Sequence, residues 1–138
     1  MHQPQTYQNW QDAAKERAAD ATAMLPERRN SVGAVYMAGY AVECMLKAYL
    51  RRKNMPYPRS GQSGHNLRGL WQSAGFRLSD IKDHSGAKSF FVQIWDTALR
   101  YQDNTEELTH STEELVNAAK QLTGWISNQI RRQRRNAV

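Results

Sequence analysis

Acid–base or phosphate chemistry in this chain would have to come from Glu43, His65 and Arg100. Glu43 lies in the apolar run 31–50, SVGAVYMAGYAVECMLKAYL. On a helix turning 100° per residue, the positions within about 60° of it are Val32, Tyr36, Gly39, Tyr40, Leu46, Lys47 and Leu50. That face is apolar except for Lys47. A carboxylate there has to be paired, hydrogen-bonded or protonated, because an isolated buried charge is very costly. Lys47 at i+4 is a local partner in the favourable order, with Glu N-terminal to Lys. Two readings stand: a structural ion pair of little net stability, or a functional carboxylate tuned by burial.

His65 stands in Gly64-His65-Asn66-Leu67, at the expected start of a short helix. There it can cap, hold an anion with the helix start, titrate near neutral pH, or do none of these. Arg100-Tyr101 ends an aromatic-rich segment one turn after Asp96. A cation there suits a helix C-terminus, but it can equally reach into the bundle, meet Glu43 or grip a phosphate.

The elements that must position these residues are helices, since apolar positions recur with helical period and never alternate for long. A first helix spans about Tyr7 to Leu25 on the stripe Trp10, Ala13, Ala14, Arg17, Ala18, Ala21 and Leu25, stopped at Pro26. Arg17 either lies flat on the neighbour or snorkels outward. The second, about Asn30 to Lys53, is apolar nearly all round and belongs mid-bundle. Pro56, Pro58, Gly61 and Gly64 mark a loop. A third, short helix runs from about Asn66 to Ala74, with Leu67, Leu70 and Trp71 inward and Gly75 as its stop. The fourth is expected from Ala87 to about Tyr101 on Ala87, Phe90, Phe91, Ile94, Trp95 and Ala98, and to carry much of the aromatic core. The fifth opens on the capping box Ser111-Thr112-Glu113-Glu114 and buries Leu115, Ala118, Ala119, Leu122, Trp125, Ile126 and Ile130. Past it, Arg131, Arg132, Arg134 and Arg135 form a basic tail expected to fray.

At 138 residues with 40% hydrophobic and 23% charged residues, the chain is long enough for one core and too apolar for disorder to be the default. We read residues 1–130 as a helical bundle domain and 131–138 as the tail. Cys44 is the only cysteine, so neither an intrachain disulfide nor a thiolate zinc cluster can form, and a reducing cytoplasm is the expected setting. The N-terminal stretch lacks the basic and apolar regions of a secretory signal. In the most apolar run, Glu43 and Lys47 each oppose membrane insertion by about 2.5–3.5 kcal/mol. The net charge of +6 favours an anionic partner such as nucleic acid.

The run Tyr36 to Leu50 with its central Glu43 and following Leu46-Lys47-Ala48, then Gly64-His65-Asn66-Leu67 with Leu70, then Trp95 and Leu99-Arg100-Tyr101, resembles bacterial and archaeal HEPN proteins over about residues 8 to 130. The resemblance implies an all-α, up-and-down antiparallel bundle of four to five helices, often a homodimer. It also implies a common association with minimal nucleotidyltransferases and with toxin–antitoxin or defence systems. HEPN ribonucleases carry an Arg, four to six residues, and a His, paired across a dimer. Here His110 follows Arg100 after nine residues, so that motif is missing where it belongs. Arg59 with His65 and Arg77 with His84 have permitted spacings but fall in loop or turn. With thirteen Arg and four His, about one such pair arises by chance.

The leading expectation is therefore a non-catalytic module that binds RNA or a nucleotidyltransferase-type partner, with Lys47, Tyr101, Arg131, Arg132, Arg134 and Arg135 as binding residues. The alternative is a metal-independent endoribonuclease in which Arg100 stabilises phosphate, His65 is the acid or base and Glu43 orients one of them. A purely structural dimer subunit is the third. No cofactor or metal is indicated, since Walker, zinc-binding and nucleophile-elbow patterns are missing. Four Trp, six Tyr and three Phe suggest aromatic surface for a C2 homodimer, with Tyr36 and Tyr40 at its edge.

Overall fold

A computed structural model describes residues 5–27, 30–57, 65–96, 98–99 and 108–136, with side chains described up to residue 132 in the last segment. Among them the architecture is entirely helical. The helices are α1 (Tyr7–Met24), α2 (Val32–Arg52), α3 (Leu67–Ser73), α4 (Ala87–Gln93) and α5 (Thr112–Asn136), with a 3-10 turn at Leu78–Asp80. The all-α class and the bundle are as the periodicity required.

The central element is α2, which packs most extensively against α1 and α5 and also against α3. Ser31 caps it, its hydroxyl accepting the Ala34 amide at 3.2 Å, while Arg51 and Arg52 complement the dipole in the last turn. Every residue from Ala41 to Leu50 is buried. Such a helix cannot lie at a surface, and the bundle encloses it. On α1, Ala14 and Ala21 are buried beside Trp10, and small side chains allow helices to pack closely. A Thr6 capping box with Asn9 opens α1. The α3 boundaries match the sequence reading closely: Asn66 caps the helix through the Gly69 amide, and Gly75 follows with φ 78°. No described helix is long and apolar enough to cross a membrane.

Three expectations need correction. The fourth helix ends at Gln93 rather than continuing toward Tyr101. The amides of Ile94 and Trp95 both return to the Phe90 carbonyl, the Arg68 guanidinium donates to the Gln93 carbonyl, and the Asp96 carboxylate accepts the Ala98 amide. These contacts unwind the helix and turn Trp95 inward, whereas Ile94, read as core, is 64% exposed and Ala98 is also exposed. Second, α5 stays helical through Asn136 instead of ending at Ile130. Third, Trp125 is half-buried, stacked in a cluster of Tyr49, Trp71 and Phe76 with ring centroids 4.6–5.6 Å apart. Six of the twelve described Trp, Tyr and Phe side chains are buried within one chain, and the other six are half-buried.

Candidate functional site

The stripe Tyr36, Tyr40, Glu43 and Lys47 runs along one face of α2, and other elements close over it. Glu43 is 3% exposed and Lys47 1%. The ammonium donates to Glu43 Oε2 at 3.0 Å and lies 5.1 Å from the centre of the Trp10 ring, so an aromatic face completes its shell. Trp10 is oriented in turn by its indole N–H, which donates to the Tyr57 hydroxyl at 2.9 Å. The i, i+4 pair expected from the sequence is present and fully desolvated.

The second Glu43 oxygen meets His65. Nδ1 lies 2.8 Å from Oε1, across 22 positions of sequence. A carboxylate oxygen accepts, so Nδ1 carries the proton and Nε2 is left as the nitrogen available to other groups. The imidazole is 30% exposed, and Tyr40 meets its ring edge-on with centroids 5.7 Å apart. Asn66, next in sequence, caps α3, so the helix start fixes the backbone that carries His65. A buried lysine, a buried carboxylate and a half-exposed imidazole thus form one chain of charge-assisted contacts from core to surface.

An aromatic wall adjoins it. The Tyr36 hydroxyl donates to that of Tyr40 at 3.2 Å, and both rings pack on Trp95. Gly39 makes this possible: a Cβ there would fall 2.0 Å from Trp95 Cε2 and 2.1 Å from Nε1. Only glycine lets the indole rest on the helix backbone. The Trp95 Nε1 is buried with no hydrogen-bond partner among the described residues.

The other expected site residues are placed as follows. Arg100 and Tyr101 lie outside the described residues, as does Arg59. Arg131 and Arg132 are exposed on α5, while the side chains of Arg134 and Arg135 fall outside the described ones. Lys47, expected to bind a ligand, is sealed inside the bundle and offers a polyanion no surface. Arg77 and His84 are both exposed on the turn between α3 and α4. His110 ties the approach to α5 to the preceding turn, Nε2 donating to the Ser85 carbonyl at 2.7 Å and Nδ1 lying 3.0 Å from the Thr109 hydroxyl. Cys44 is buried, and burial together with the neighbouring Glu43 charge pushes its thiol up to about 12, so it is no nucleophile. No cluster able to hold a metal occurs among the described residues.

The family model for the HEPN domain matches residues 7–134, nearly the whole chain. The chain belongs to the HEPN family. No curated protein and no solved structure matches it. Within this HEPN bundle, the pairing of Glu43 with His65 was legible only as one of two options, Glu43 orienting His65 or Arg100, because no local spacing joins a helix interior to a loop 22 residues on. Trp10 and Trp95 were legible as core positions, but nothing in the sequence tied them or Tyr57 to the Glu43 face. The tyrosine pair was visible in its i, i+4 spacing.

Proposed function

We propose that this HEPN chain is a non-catalytic RNA-binding module. It works in the reducing cytoplasm as a C2 homodimer, beside a nucleotidyltransferase-type protein, in a toxin–antitoxin or defence setting. The observation that carries the RNA part is the distribution of charge. Glu43 is engaged inside the bundle, Asp20 pairs with Arg17, and Asp80 and Asp83 accept backbone amides. Lys82, Lys120, Arg131 and Arg132 are exposed, with no carboxylate in salt-bridge range among the described residues, while the exposed acids Asp12, Glu16 and Glu27 lie on α1 and just past it and leave the net charge at +6. The first-turn acids of α5, Glu113 and Glu114, do not offset its far end. From Glu114 to Arg132 is about 27 Å at 1.5 Å per residue, well beyond a Debye length of about 8 Å in physiological salt. Such a surface draws in a polyanion and releases its counterions.

Family membership supports the dimer, the nucleotidyltransferase-type partner and the biological setting. The nine-residue gap between Arg100 and His110, together with the role of His110 in holding the Ser85 carbonyl, supports the absence of the usual cleavage pair. Titrating single-stranded RNA in about 0.1 M salt should give binding that weakens linearly in log–log form as salt rises. Copurification from the native host should recover RNA or the partner. A chain that emerges alone and ignores RNA would end this reading.

A second reading is favoured by one contact, Glu43 Oε1 to His65 Nδ1 at 2.8 Å. A carboxylate that fixes the tautomer leaves Nε2 able to take the proton from an RNA 2′-hydroxyl. The 2′-oxygen then attacks phosphorus as the P–O5′ bond breaks, and the 5′-oxygen takes a proton from water, giving a 2′,3′-cyclic phosphate and a 5′-hydroxyl without metal. Arg100 would stabilise the phosphate charge. Cleavage of labelled RNA in EDTA that disappears in His65→Asn and Arg100→Ala, with melting unchanged, supports this. Intact RNA with the wild-type chain removes it.

A further inference from the structure

Gly124 sits in the interior of α5, where glycine is less favourable than alanine. Packing does not require it. Gly39 has Trp95 against its missing Cβ, but at Gly124 nothing lies within 4 Å of that position, and the residue is exposed. A glycine that the fold does not need suits a place where another backbone comes close.

What surrounds it is basic. Along α5, Lys120, Gly124, Asn128 and Arg131 succeed one another at helical spacing on the outer face. To one side is a groove of about 630 Å³ against the 80–88 segment, where Lys82, Lys88 and Arg131 face the single carboxylate Asp80. To the other, against α1, is a groove of about 650 Å³ with Lys15, Lys120 and Arg131 at its edge and no acid in its lining. Gly124 lines both. The Lys88 ammonium is held in place by the Lys82 carbonyl and keeps two further N–H donors. Asp80 is occupied by the Arg77 amide. Trp125, half-buried against Trp71 and Phe76, lines the first groove and is the aromatic residue there that a base can meet.

We propose that the outer face of α5 around Gly124, with Lys82, Lys88 and Arg131, is a binding track for the backbone of single-stranded RNA. It rests on the RNA-binding reading and is separate from the Glu43 and His65 site. In the groove against the 80–88 segment, cations with one aromatic residue and polar amides fit a nucleic-acid strand better than a protein helix, which would need apolar anchors; the α1 groove, lined by Ala18, Ala19, Ala23 and Met45, is the more apolar of the two. The one exposed large apolar side chain among the described residues, Ile94, is not in either groove.

The test uses the full chain and a fluorescent oligouridine. Gly124→Ala should melt higher than wild type yet bind the RNA a few-fold more weakly, a combination that a purely structural position does not give. Arg131→Ala should reduce the log–log salt slope by about 0.7, one phosphate contact on a single strand. Gly124→Glu should weaken binding about tenfold or more through like-charge repulsion, with helicity checked by circular dichroism. Wild-type binding that is unchanged in all three variants overturns the track and leaves the RNA reading standing. Wild type that binds polyglutamate but not RNA overturns both in favour of an acidic protein partner.

Discussion

Glu43 and Lys47 are held against each other out of reach of water, so removing either strands a charge. Glu43→Ala should destabilise the chain by about 3–5 kcal/mol, the usual cost of breaking a buried pair. The double variant Glu43→Ala with Lys47→Met should recover much of that, because replacing both members of a buried pair leaves no charge unpaired. Urea denaturation of both singles and the double closes the cycle; a double variant as unstable as the sum of the singles would show that the pair is not the reason for the charges. Gly39→Ala is predicted to be harsher than its single methyl suggests, since the new Cβ would meet Trp95 at about 2 Å. Overpacking of this kind costs about 1–3 kcal/mol, and the melting temperature should fall, with the environment of Trp95 altered in near-ultraviolet circular dichroism. At this scale the sequence disclosed pairs within one helix and little else. Glu43 with Lys47 follows from a spacing of four, whereas His65 on Glu43 and Trp95 on Gly39 depend on how loops return to α2.

Element boundaries were legible wherever local chemistry and packing agreed. Ser31 and Asn66 cap as their types suggest, and the Ser111 hydroxyl accepts the Glu114 amide at 3.1 Å. Two helix ends depart from the pattern: α5 runs past Ile130 to Asn136, and α4 stops at Gln93 although its apolar pattern continues, because docking Trp95 on Gly39 outweighs extending α4. Its other end shows a second device that local patterns miss. Gly86 opens α4 with φ 81° and no side chain to cap, and Asp83 fills the role from three residues upstream. Its oxygens accept the amides of Lys88 at 3.0 Å and Ser89 at 2.8 Å, and the Ser89 hydroxyl. Burial alone would raise the Asp83 pKa, but these hydrogen bonds and the Lys88 charge together hold it below the usual aspartate value. A depressed folded pKa stabilises the chain above the unfolded value and loses that stability as pH falls through the folded one. Asp83→Ala should therefore cost about 0.5–2 kcal/mol at neutral pH, as removal of a cap does. The difference from wild type should shrink below about pH 4, where the unfolded-state aspartate gains its proton. A gap that stays constant into acid would mean that the carboxylate charge plays no part.

For the whole molecule, one central apolar helix packed among others was readable from periodicity and length, while charge was readable as a total and as the arginine run after Ile130, not as a surface. The segment 131–138 is where the two meet. Ile130 is buried, but Arg131 and Arg132 are exposed, so α5 leaves the core at that residue and continues as a cationic extension. Deleting residues 131–138 removes no buried side chain among those described. Melting should shift little, and sedimentation at matched concentration should report the same assembly state as the intact chain. Removal of at least Arg131 and Arg132 should weaken oligouridine binding and flatten its salt dependence by about 0.7 for each phosphate that the chain no longer neutralises. If the truncated chain instead sediments at half the mass of the intact one, the end of α5 is an assembly element. Its arginines would then serve the subunit interface, and the weaker RNA binding would follow from dissociation of the dimer rather than from the missing charge.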